Sequence, residues 1–150
     1  MYQRWPKRDT DKCYFKMPNE VFCLALDSKE ISIYAYLLRC EDRETYQCHP
    51  SYRTIGKAVK MCENTVRKYV LSLEEKGLIR TEPTTITTKD GRVRNGSLLY
   101  TIRPIQEALE IFNQQQLTHA EEEAEKARLR KRLAQRGEQK SINETEGVSA

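Results

Sequence analysis

Between Ser51 and Gly77 two short helices follow each other with only three residues between them, and this restricts the fold more than any other stretch. Val66, Tyr69, Val70 and Leu73 recur at spacings of three, one and three, the mark of a helix that buries one narrow face. Gly77 stands where a helix ends in a left-handed residue, so the spacing predicts a helix from Glu63 to Lys76. Just upstream, Ser51 occupies an N-cap position before Tyr52–Val59, with Ile55, Ala58 and Val59 on one side. Lys60-Met61-Cys62 joins the two as a tight turn.

The flanking segments read as a small α+β domain. Leu78-Ile79-Arg80 opens a strand that Ile86 and the threonines at 81, 84, 85, 87 and 88 continue, bent at Pro83. Asp90-Gly91 and Asn95-Gly96 are turn signals, and Leu98–Ile102 returns as a strand. Upstream, Cys13–Met17 is strand-like. Pro18-Asn19 opens a short helix through Leu26, offering Val21, Phe22, Leu24 and Ala25 for burial. Ile31, Tyr34, Ala35, Leu37 and Leu38 mark a helix lasting to Glu41-Asp42. Asp27-Ser28 offers its cap, but Ser28 lacks a glutamate three residues on, so no capping box is expected. Arg43–Gln47 reads as a loop. Pro104 suits the first turn of a last helix with Ile105, Ala108, Leu109 and Phe112 inward.

Beyond Phe112 large apolar residues are rare. The sequence there predicts a solvated helix with a Glu122–Lys126 pair, fraying near Gly137 before a disordered end. The expected layout is a flexible basic arm over 1–12, a domain over 13–112 and a charged helical extension with a disordered tail over 113–150. A chain ending at Gln116 is expected to keep its fold and its ligand affinity, because the tail is too poor in apolar residues for a heptad seam.

Composition narrows the function. Hydrophobic residues make up 38% of the 150 and charged residues 32%, enough for one small core. No run approaches the ~18 apolar residues of a membrane span, and the first residues lack the apolar core of a signal peptide. Five cysteines without short paired spacings read as reduced thiols of a cytoplasmic protein. Cys40, Cys48, His49 and Cys62 include no Cys-x-x-Cys pair, so no metal is expected. Cys23 and Cys40 are expected in the core, and Cys48 and Cys62 as half-buried fillers. Cys48 beside His49 is no catalytic dyad by adjacency, and the scattered glycines form no phosphate-cradling loop. Neither an enzyme, a cofactor nor a small-molecule ligand is expected.

Charge points to a polyanion instead. The net charge is +4, yet residues 51–104 alone carry eleven Lys/Arg against five acids. Opposite the apolar stripe, helical geometry places Asn64, Arg67, Lys68 and Leu71. Asn pairs bidentately with adenine and Arg with guanine, so Asn64, Arg67 and Lys68 are candidate base readers. Tyr52, Arg53, Lys57 and Thr65 are candidate phosphate contacts. Lys89, Arg92, Arg94 and Asn95 crowd the expected hairpin tip, as a wing on the DNA backbone or minor groove requires.

Pro50–Gly56, Thr65-Val66-Arg67-Lys68-Tyr69, Leu73–Ile79 and Leu99-Tyr100-Thr101-Ile102 resemble the winged helix-turn-helix domain. That domain occurs in bacterial regulators and in replication initiators of phages, plasmids and conjugative elements. The likeness covers roughly residues 13–104. It implies cofactor-free binding of double-stranded DNA, in a transcription regulator or a replication initiator of a phage or bacterial mobile element. Beyond DNA, no membrane partner is expected and a homodimer is left open. The competing reading is a protein-interaction winged helix whose basic face is incidental. One departure stands out, because the family turn reads glycine, an apolar residue and serine where this chain has Lys60-Met61-Cys62. A left-handed Lys60 would cost roughly 1–2 kcal/mol, and cysteine is a poorer N-cap than serine.

Overall fold

The computed structural model describes residues 14–147, without the side chains of residues 141 and 143–146. The expected arm over 1–12, Cys13 and the last three residues lie outside that range. Helices α1 (Ser28–Cys40), α2 (Tyr52–Val59) and α3 (Glu63–Glu75) pack on one another. Strands β1 (Gln47–Cys48), β2 (Ile79–Glu82) and β5 (Leu99–Ile102) form an antiparallel sheet in the order β1-β5-β2. Strands β3 (Thr85–Thr87) and β4 (Val93–Asn95) form a separate hairpin inserted between β2 and β5. Helix α4 (Ile105–Glu146) follows, and the chain divides into two compact units between Ile111 and Phe112.

The core of the first unit is built from single faces of these elements. Ile33, Tyr34 and Leu37 of α1, Ile55 of α2, and Val66, Val70 and Leu73 of α3 are fully enclosed with Leu78, Ile79 and Tyr100. Ala108 adds the first turns of α4. Burial of the Tyr34 hydroxyl, with Glu41 adding to it, pushes its pKa up to about 12. The α3 stripe is buried as its spacing implies, except that Tyr69 is only half-buried. In α2 the buried partner of Ile55 is Gly56, whereas Ala58 is exposed. A Cβ on Gly56 would stand 2.4 Å from the Met61 carbonyl oxygen, so the turn closes on a residue without a side chain.

Several local expectations change. The stretch before Asn19 forms no strand over its described residues, and the helix there is a 3₁₀ turn over Asn19–Cys23. It buries Val21 and Leu24 but leaves Phe22 72% exposed, because Ala25 turns left-handed at φ 51° and a full helix never forms. A capping box does open α1, one residue earlier than the sequence suggested. Asp27 accepts from Lys29 N and Glu30 N, both at 2.9 Å, while Glu30 Oε2 accepts from Asp27 N at 2.8 Å. The loop before His49 holds β1, paired through Gln47↔Thr101 and Cys48↔Tyr100. An Asp42 turn and a left-handed Tyr46 (φ 56°) aim the chain into that pairing.

The cysteines also rearrange. Cys23, Cys40 and Cys62 are exposed and Cys48 is buried, the reverse of the expected core pair. Cys48 faces the sheet–α1 contact, where its thiol donates to the Leu37 carbonyl. Burial, with Cys40 and Glu41 adding to it, pushes its pKa up to about 12.

Glu30 joins α1 to the end of α3. It is 3% exposed, yet it accepts from Lys76 Nζ at 2.9 and 2.8 Å and from the Ser72 hydroxyl. Burial pushes its pKa up, but Lys76, Ser72 and the Asp27 N–H together hold it below the ordinary value. Gly77 then terminates α3 at φ +78°, where an added Cβ would lie 2.4 Å from Ile111 Cδ1. Ile111, absent from the expected α4 stripe, is what closes against this glycine. Helix α4 itself continues through Gly137 to Glu146 instead of fraying there.

Candidate nucleic-acid interface

Helix α3 presents one face inward and the opposite one to solvent. Val66, Val70 and Leu73 are buried, so the 3.6-residue period turns Asn64, Arg67, Lys68 and Leu71 outward, and all four are exposed. Arg67 does not extend freely. Its guanidinium carbon lies 5.6 Å from the centre of the Tyr52 ring, a cation–π distance across the α2–α3 turn. Tyr52, expected as a phosphate contact, is half-buried with its ring against this arginine. Burial raises its hydroxyl pKa, Arg67 pulling it down and Glu74 pushing it up. Lys68 leans over the Tyr69 ring at 5.6 Å, and Lys29 from α1 sits at the same distance from that ring.

The turn that aims α3 takes the costly form. Lys60 is left-handed at φ 59°, ψ 45°, and its N–H donates to the Gly56 carbonyl. Cys62 stands at the N-cap without a side-chain cap bond, its Sγ 3.0 Å from Thr65 Oγ1. The Thr65 hydroxyl, aided by nearby backbone N–H groups, lowers the Cys62 thiol pKa. Thr65 is thus half-buried and occupied locally, while Arg53 and Lys57 of α2 are exposed.

Strand β2, which leads into the hairpin, is fixed to α3 by one carboxylate. Glu74 accepts from Thr81 N at 2.8 Å and from the Thr81 hydroxyl at 3.0 and 2.9 Å, tying β2 to the helix just before the chain bends at Pro83. The register Thr87↔Val93, Ile86↔Arg94 and Thr85↔Asn95 places Lys89 and Arg92 in the turn. Arg94 lies mid-strand, sharing a face with Ile86. Asn95 sits at the base, opposite Thr85, so it is not a tip residue. The Asp90-Gly91 signal makes the hairpin turn, whereas Asn95-Gly96 ends β4, with Gly96 N donating to the Thr84 carbonyl. Ile86 and Val93 are 55% and 68% exposed, so this hairpin is held by its backbone ladder rather than by a core.

Ion pairing sorts the cations of residues 51–104. Lys76 pairs with Glu30, Arg80 with Glu82 and Arg103 with Glu107. Arg53, Lys57, Arg67, Lys68, Lys89, Arg92 and Arg94, all foreseen as contacts, form no ion pair with a described residue. Lys60, read from the sequence only as a departure in the turn, likewise forms no ion pair with a described residue and is exposed. Among the described residues no three His, Cys, Asp or Glu side chains come together as a metal would require.

Residues 25–79 match the model of a family described as a helix-turn-helix domain, a span running from before α1 to the start of β2. This segment is a helix-turn-helix domain. With the β3–β4 hairpin following it, the fold is a winged helix-turn-helix, an architecture whose second helix is shaped to enter the major groove of DNA. A possible transcriptional regulator from Methanosarcina mazei Go1 is similar in structure. It has 17% sequence identity and a TM-score of 0.49 over 72% of this chain and 82% of that one. No curated protein matches the chain. Side-chain donors stand on the outer face of α3, and cations without an ion pair to a described residue stand on α2 and the hairpin.

Proposed function

We propose that this chain binds double-stranded DNA and regulates transcription by occupying its site. Asn64, Arg67 and Lys68 read base edges, while Arg53, Lys57, Lys89, Arg92 and Arg94 hold phosphates. Asn95, at the hairpin base, and Thr65 add polar contacts at the margins. The same occupancy at an origin would serve a replication initiator of a phage or bacterial mobile element, the other role its sequence resemblance carries.

The observation that carries this reading is the exposed, unpaired outer face of α3, with Arg67 braced on Tyr52. A solvated face needs no such brace, and ordering a guanidinium before binding lowers the entropy lost when it meets a guanine edge. Selection of binding sites from random duplexes by the full chain tests it. A defined motif that weakens with Asn64→Ala or Arg67→Ala supports direct reading, and a palindromic motif would mark a homodimer. No enrichment at low salt would leave the basic face without a nucleic-acid role and favour a protein-docking winged helix.

A further inference from the structure

The second unit carries a basic segment that the winged helix does not account for. Over residues 126–140 the sequence holds seven Lys/Arg against one acid, and all of it is helical and exposed. Arg128, Arg132, Arg136 and Lys140 follow at four-residue intervals, so they form one ridge with cations about 6 Å apart along the axis. Lys126 pairs with Glu123 at 3.2 Å, in place of the expected Glu122. Arg128, Arg132 and Arg136 have no ion pair with a described residue. Like charges at i,i+4 repel, so this ridge works against its own helix until an anion neutralises it.

We propose that residues 126–140 form a second nucleic-acid contact, a sequence-independent grip on duplex phosphates separate from the α3 face. A membrane surface fits less well. An interfacial helix needs an apolar face, but Leu129 and Leu133 lie among Arg132, Arg136 and Lys126, and Ile142 falls on the opposite side. A helix with cations distributed around it suits a duplex groove, which offers phosphates on both walls. On this proposal a chain ending at Gln116, expected from the sequence to keep its affinity, keeps fold and site preference but loses this grip. The proposal is independent of which sequence α3 reads.

The test compares the full chain with a Arg128→Gln/Arg132→Gln/Arg136→Gln/Lys140→Gln variant on random-sequence duplex at several salt concentrations. Glutamine keeps helix propensity, and circular dichroism checks that the helix persists. Four lost phosphate contacts should reduce the log–log salt slope by about 3.6 and shrink the affinity change between 50 and 200 mM salt roughly 100-fold. A chain carrying both Asn64→Ala and Arg67→Ala should show the same drop on the same four substitutions, even if no preferred site exists. An unchanged slope overturns the proposal. So does tighter binding of the full chain to phosphatidylserine vesicles than to duplex, lost with the same substitutions, which assigns the ridge to a lipid surface.

Discussion

At the scale of single residues, the outer face of α3 is set by how Arg67 and the turn before it are held. Tyr52→Phe should leave the Arg67 brace and DNA affinity nearly intact, because the ring face is what the guanidinium meets. Tyr52→Ala should weaken the preferred site by about 1 kcal/mol while random duplex is barely affected. Fluorescence titrations on both duplexes distinguish these outcomes, and equal loss in the two variants would show the hydroxyl, not the ring, to matter. In the turn, Lys60→Gly should raise stability by about 1 kcal/mol by relieving the left-handed lysine. Cys62→Ser should add about 0.5 kcal/mol through a better cap on α3. Thermal melts check both. The outward position of Asn64, Arg67 and Lys68 was legible because helical period alone determines it. The stacking of Tyr52 was not, since it depends on how α2 crosses α3. Nor was the exposure of Cys23 and Cys40, which follows from a 3₁₀ turn and a helix end.

At the scale of elements, the junction of α1 and α3 holds a carboxylate whose charged form the fold favours. Glu30 titrates below its ordinary value of 4.5 in the folded chain. Its stabilisation is therefore complete above the unfolded value and is lost as pH falls through the folded one. Glu30→Gln should cost about 2 kcal/mol at pH 7, discounted for the partly exposed Lys76 end. The difference from wild type should narrow below about pH 4.5. Denaturant melts at pH 7 and pH 3.5 measure it, and a gap independent of pH would mean Glu30 acts by packing alone. Gly77→Ala should cost about 2 kcal/mol, from the left-handed backbone and the Ile111 methyl that the new Cβ would displace. Helix α2 was legible from its Ser51 cap, and α3 from its apolar stripe and the Gly77 stop signal. The box on α1 was missed by one register step, Asp27 and not Ser28 being the cap. Strand β1, at two residues, is too short to carry any period. The hairpin came through in outline, but only pairing geometry tells Arg94 in mid-strand from Asn95 at the base.

At the scale of the whole molecule, the chain divides its cations by task. Within the winged helix, Lys76, Arg80 and Arg103 are spent on internal pairs, leaving the residues of α2, α3 and the hairpin unpaired toward solvent. We propose that a polyanion is what those unpaired charges meet. The charged helix beyond Phe112 was legible as solvated but not in its continuity through Gly137, since one glycine costs a helix only about 1 kcal/mol and its neighbours are good formers. We propose that the outer face of α3 distinguishes one DNA sequence from another. Its most direct measurement is the affinity of wild type, Asn64→Ala and Arg67→Ala for a site selected from random duplexes, alongside a scrambled duplex. Each substitution should cost about 1–3 kcal/mol on the selected site, with little change on the scrambled one. Equal losses on both duplexes, or no loss on either, would contradict the account.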